Sequence, residues 1–108
     1  MKLVMAIINS DDAQSVIRGL TQEGFQITKL ATTGGFLMAG NVTIITGVED
    51  SRVDEVTRII REKSKSRSQT VPTVSESSMG GFFNAPLVEV TVGGATVFVI
   101  PIDHFEKI

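Results

Sequence analysis

The stretch Leu3–Ala31, LVMAIINSDDAQSVIRGLTQEGFQITKLA, decides the fold, because it contains a whole β-α-β unit together with its punctuation. Leu3 to Ile8 is an unbroken apolar run, the pattern of a strand buried on both faces. Asn9-Ser10-Asp11-Asp12 follows at once and supplies cap side chains and first-turn carboxylates for a helix. Ala13, Val16, Ile17 and Leu20 share one face of that helix, and Gly24 stands where a C-terminal cap belongs. Phe25 to Ala31 reads as a strand. Its alternation sets Gln26, Thr28 and Leu30 on one face and Phe25, Ile27 and Lys29 on the other.

The second half repeats the scheme. Asn41 to Val48 reads as a strand, and Asp50 and Ser51 open another helix, with Ser51-x-x-Asp54 matching a capping box. Val53, Val56, Ile59 and Ile60 form its apolar stripe. The basic run Arg58–Arg67, RIIREKSKSR, gathers at its end, where it complements the helix dipole and is expected to be solvated. Leu87–Val92 and Ala95–Ile100 flank Gly93-Gly94, a two-residue hairpin signature. The expected order is therefore β-α-β-β-α-β with an extra C-terminal strand: an α+β, ferredoxin-like sandwich forming a single domain over residues 1–108. That architecture hosts many unrelated functions, so function has to come from the site.

Two stretches escape the periodic elements, a short glycine loop at 31–40 and a long loop at 64–86. A loop as long as the second is usually functional or disordered. Its apolar group Met79-Gly80-Gly81-Phe82-Phe83 suits a lid or a partner-binding arm.

Composition excludes several classes. With 108 residues and a net charge of −2, the chain lacks the basic stripe of a nucleic-acid-coating surface. The absence of cysteine removes disulfides and thiolate metal sites. No metal-ligand spacing occurs, and no metal is expected. The apolar run near Met1 is too short to span a membrane and leads directly into polar residues, so a cytoplasmic protein is the default. Catalysis finds little support: His104, the only histidine, adjoins Asp103 and reads as a surface or packing residue. The acidic pairs Asp11-Asp12, Glu49-Asp50 and Asp54-Glu55 all lie at helix starts, where capping explains them.

A ligand site is the better reading. Thr28–Asn41, TKLATTGGFLMAGN, places Phe36, Leu37 and Met38 directly after Gly34-Gly35, whereas an ordinary hairpin tip is polar. Gly35-x-x-x-x-Gly40 has phosphate-loop spacing, but Asn41-Val42 stands where Lys-Ser/Thr is required. Neutral donors remain: the Thr28 hydroxyl and loop N–H groups for phosphate, Phe36 for a purine face, and Asn41 for an adenine edge. The plain alternatives are a hairpin turn for Gly34-Gly35 and subunit packing for Phe36 and Leu37.

Together with Val88–Asp103, VEVTVGGATVFVIPID, this stretch resembles the PII-like cyclic di-AMP receptor family, and the likeness extends from MKLVMAII to VFVIPID. The resemblance implies a homotrimeric, non-enzymatic signal-transduction protein without cofactors. Cyclic di-AMP would sit between subunits and be read out through loop rearrangement to an unidentified protein partner. The matching positions are Thr28 for phosphate, Gly35, Phe36 and Leu37 for base and backbone, Asn41 for the adenine edge, Gly47 for backbone contact and Phe98 as a pocket-lining residue. Relatives carry arginine where this chain has Gln26, asparagine at Gly24 and glutamine at Lys107; Gln26 stays in the expected site beside Thr28. The alternatives are a PII-type sensor of ATP or another nucleotide and a structural trimer without a nucleotide ligand. The tyrosine-bearing loop of the ATP sensors has no counterpart, since the chain holds no tyrosine.

Overall fold

The computed structural model describes residues 1–30, 40–72 and 87–108. Strand β1 (Lys2–Asn9) leads into helix α1 (Ser10–Gln22), then β2 (Thr28–Leu30) and β3 (Asn41–Val48). A 3-10 turn (Asp50–Arg52) precedes α2 (Val53–Ser64), followed by β4 (Arg67–Pro72), β5 (Leu87–Val92) and β6 (Ala95–Pro101). The main sheet is antiparallel in the order β2-β3-β1-β6, and β4 and β5 form a separate two-stranded ribbon.

One face of the main sheet carries the core. Val4, Ala6 and Ile8 of β1 and Ile44 and Val48 of β3 are buried against Val16 and Leu20 of α1 and Val56, Ile59 and Ile60 of α2. Both predicted helical stripes thus face the sheet, with Ile17 and Val53 at the margin. Each fully buried valine, leucine or isoleucine among them contributes about 1.5–3 kcal/mol by leaving water.

Among the described residues, no helix packs on the opposite face. Cross-strand partners on this side are Leu3, Gly47 and Ile100 in one row and Met5, Ile45 and Phe98 in the next, with Thr28 beside Ile45. Phe98 is 47 % exposed there.

The start of α1 follows its sequence signal: Asn9 Oδ1 accepts from the Asp11 N–H at 2.9 Å. At its end the Gly24 N–H reaches the Thr21 carbonyl at 3.0 Å and the Phe25 N–H reaches the Leu20 carbonyl at 3.1 Å. This is a Schellman cap. It requires the left-handed backbone of Gly24, whose φ is 88°, and it brings Phe25 into apolar contact with the helix end.

The cap corrects the expected strand. Phe25 belongs to the end of α1, so β2 pairs with β3 over Thr28–Leu30 and not from Phe25 onward. The expected capping box also does not form, because the 3-10 turn intervenes and α2 has no side-chain cap. The Asp50 carboxylate instead accepts from the Met1 ammonium at 2.8 Å. That hydrogen bond, reinforced by the ammonium charge and by Lys2, holds its carboxyl below the ordinary range.

The C-terminal reading is corrected most. Gly93-Gly94 does not close a hairpin: β5 pairs with β4, and β6 crosses to the main sheet beside β1. The strand added to the β-α-β-β-α-β order therefore comes before β6, and Arg67–Pro72 is strand where a loop was expected. Residues 73–86, including the Met79–Phe83 group, lie outside the described residues.

The base of the ribbon is fastened to the body in two places. Ser64 accepts from the Gly94 N–H through its carbonyl oxygen. Arg67 spans the two carboxylate oxygens of Asp12 at 3.2 and 3.3 Å, and Arg58 meets Glu62 at 3.2 Å, so both ends of the basic run are paired and not simply solvated.

Candidate ligand-binding site

The divergence of β2 from β3 creates the site. Beyond the Thr28–Ile45 pair the Schellman cap draws Phe25 toward the helices, and the outer edge of Thr46–Val48 has no strand partner among the described residues. A cavity of about 420 Å³ opens there, lined by Gly24, Gln26, Thr28, Ile45, Thr46 and Gly47 along the two chain segments. Leu3, Arg52, Phe105 and Lys107 close its sides. The volume falls within the range of roughly 300–1,000 Å³ typical of small-molecule sites.

The strand alternation read from sequence holds in this corner. Phe25 is buried at 7 % exposure and Ile27 packs against the core, while Gln26 and Thr28 are exposed and line the cavity. Gly47 contributes bare backbone. A β-carbon built there would lie 3.1 and 3.2 Å from the Phe105 ring, so the glycine is what lets Phe105 lie against β3. Thr46 is 4 % exposed, and its Oγ1 has no hydrogen-bond partner among the described residues. Such an orphan calls for a partner that these residues do not supply.

Charge at the cavity is unevenly committed. Arg52 gives Nε and a terminal nitrogen to Glu55 at 3.0 and 3.2 Å, donates to the Glu23 carbonyl at 3.1 Å, and stacks 4.0 Å from the centre of the Phe25 ring. Lys107 donates to the neutral Gln26 Oε1 at 3.0 Å. His104 stays outside the cavity on a 79 % exposed side chain, as its surface reading anticipates.

The predicted site residues do not all meet. Gln26, Thr28 and Gly47 share the cavity. Asn41 lies at the far end of β3, opposite Asn9, six residues from Gly47 and hence about 20 Å along the strand. Phe98 stands on the helix-free face, separated from Thr28 by Ile45 and Met5, about 14 Å across three strand spacings. Gly35, Phe36 and Leu37 lie outside the described residues.

Sequence reasoning missed Phe105 and Arg52. The signal for Phe105 was thin: a lone aromatic beyond the last strand, matched to a glycine inside another strand. A second cavity of about 620 Å³, between the end of α2 and β6, holds none of the predicted site residues.

The structure is a small α+β fold in which an apolar sheet face lies beside a cavity with neutral donors, and among the described residues no helix is long and apolar enough to cross a membrane. The chain belongs to the cyclic-di-AMP receptor family, whose model matches residues 1–108. It is also similar to a functionally unknown protein from Pediococcus pentosaceus ATCC 25745 with a crystal structure. The two are 39% identical over 99% of this chain and 96% of that one, with a TM-score of 0.74.

Proposed function

We propose that the protein is a non-enzymatic, cytoplasmic receptor for cyclic di-AMP, with ferredoxin-like subunits assembled as a homotrimer. The ligand lies between subunits, and loop rearrangement transmits its presence to a protein partner. The observation that carries this reading is the convergence of Gln26, Thr28 and Gly47 on one cavity of ligand size. Thr28 offers a hydroxyl to phosphate, and the strand edge at Gly47 offers backbone without a side chain in the way.

The separation of the remaining residues supports binding between subunits. One copy cannot bring Asn41 and Phe98 to the cavity that holds Thr28. An adjacent copy supplies the Asn41 end of β3, with Gly35, Phe36 and Leu37 just before it. The helix-free face gives the copies a reason to associate, since Leu3, Met5, Ile45, Phe98 and Ile100 form a contiguous apolar surface that assembly removes from water.

Calorimetric titration tests the ligand. Cyclic di-AMP is expected to bind at least about tenfold tighter than cyclic di-GMP, because guanine opposes mismatched donors and acceptors to the Asn41 amide. Equal affinities would contradict the adenine reading. Light scattering tests the assembly, with a trimer mass expected at micromolar concentration. Phe98→Asp should drive the protein to monomer, since a charge at the centre of an apolar contact is costly to bury. A Phe98→Asp protein that remains a trimer would remove this face from the interface.

A further inference from the structure

We propose that Lys107, oriented by Gln26, is the cation that engages a phosphate of the bound dinucleotide; this deepens the function proposed above and rests on it. The residues after β6 fold back across the end of the main sheet. The Ile102 N–H reaches the Met1 carbonyl at 3.2 Å, the Phe105 ring lies against Gly47, and Lys107 Nζ ends at Gln26 Oε1, 3.0 Å away. This tail joins residues 81 positions apart and delivers an ammonium group to the cavity wall that holds Thr28.

The other positive groups at the cavity are already engaged. The Arg52 guanidinium is divided among the Glu55 carboxylate, the Glu23 carbonyl and the Phe25 ring. The Met1 ammonium is paired with Asp50. Lys107 is held by a neutral amide oxygen and is bonded to no carboxylate among the described residues. An ammonium has three donors, and the Gln26 contact uses one. The other two are available to non-bridging phosphate oxygens, beside the Gln26 amide and the Thr28 hydroxyl on the same wall. Gln26 is the positioning residue: it fixes the lysine through its oxygen without neutralising it, as a carboxylate would.

The test compares wild type with Lys107→Gln, Lys107→Arg and Gln26→Ala by calorimetry with cyclic di-AMP at low and high salt. Loss of a charge-assisted contact should weaken Lys107→Gln by about tenfold to a hundredfold and flatten its salt dependence. Lys107→Arg should keep most of the affinity and the salt slope, and Gln26→Ala should fall between. Equal thermal midpoints would show that the exposed substitution leaves the fold alone. Affinity and salt slope in Lys107→Gln identical to wild type would overturn the assignment while leaving the receptor reading intact.

A parallel titration with inorganic phosphate follows the Gln26 side-chain amide by nuclear magnetic resonance. A shift that Lys107→Gln abolishes supports the anion site even if cyclic di-AMP fails to bind, in which case the receptor reading falls alone. No shift together with no dinucleotide binding would overturn both.

Discussion

Gly93→Ala is expected to destabilise the protein by about 2–4 kcal/mol, most of it at the junction of ribbon and body. Gly93 has a φ of 80°, a region that costs a residue with a β-carbon roughly 1–2 kcal/mol. The space is occupied as well. A β-carbon there would sit 2.6 Å from the Arg67 guanidinium, 3.0 Å from Asp12 Oδ2 and 3.1 Å from the Lys65 carbonyl oxygen. Arg67 can swing away, since its side chain is half exposed, but Asp12 at 9 % exposure cannot follow it into water. The substitution therefore strands a nearly buried carboxylate, and that loss adds to the backbone strain.

Urea denaturation measures the total, and amide exchange in β4 and β5 locates it. An isolated two-stranded ribbon is marginal in water, so exchange there should accelerate more than in the main sheet. The effects of Gly93→Ala and Arg67→Ala should not add, because both act by freeing Asp12. A destabilisation below about 1 kcal/mol, or strict additivity in the double variant, would show that this junction does not hold the ribbon.

What the sequence disclosed and what it hid separate by range. The Asn9 cap, the Val16–Leu20 stripe and the Val56–Ile60 stripe were legible because each rests on residues within a few positions of one another. Phe25 was misread as strand for a competing local reason: an apolar residue just after a capping glycine satisfies the end of a helix as well as the start of a strand. The Gly93-Gly94 pair marked the break between β5 and β6 but not that the two strands belong to different sheets. That depends on β6 pairing with β1 across almost the whole chain, and on Arg67 finding Asp12 at a separation of 55 residues. Neither partner leaves a periodic trace.

The site divides in the same way. Alternation was enough to place Gln26 and Thr28 on the cavity side and Phe25 and Ile27 in the core, because a strand has only two faces. The contact between Lys107 and Gln26 was invisible, since it depends on how the tail crosses the sheet after β6. The likeness to a family supplied Asn41 and Phe98 without saying how far they lie from Thr28 within one chain. The sheet register gives the reason for seeking a second copy, because it sets both residues well away from Thr28 within one chain.

Gly47→Val should separate binding from stability more sharply than any other single change. In the interior of a strand glycine is a weak choice, and valine suits a pleated surface better, so β3 gains from the substitution. Against this stands the Phe105 ring, which a β-carbon would approach to 3.1 Å and which must move outward. The ring is on an exposed side chain, so it can move at small cost, and the net change in stability should stay within about 1 kcal/mol. The cavity cannot adjust in the same way. Its floor at Gly47 is strand backbone held by Leu3 on β1, and two added methyl groups occupy volume beside Thr28 and Gln26. Cyclic di-AMP affinity should fall by at least tenfold, about 1.4 kcal/mol, at an almost unchanged thermal midpoint. Adding Phe105→Ala distinguishes two routes to that loss. If the valine itself excludes the ligand, removing the ring restores nothing; if the loss comes from displacing Phe105 into the ligand's place, the double variant should regain affinity. A Gly47→Val protein that binds cyclic di-AMP as wild type does would move the ligand away from this corner of the sheet, whatever the thermal midpoint shows.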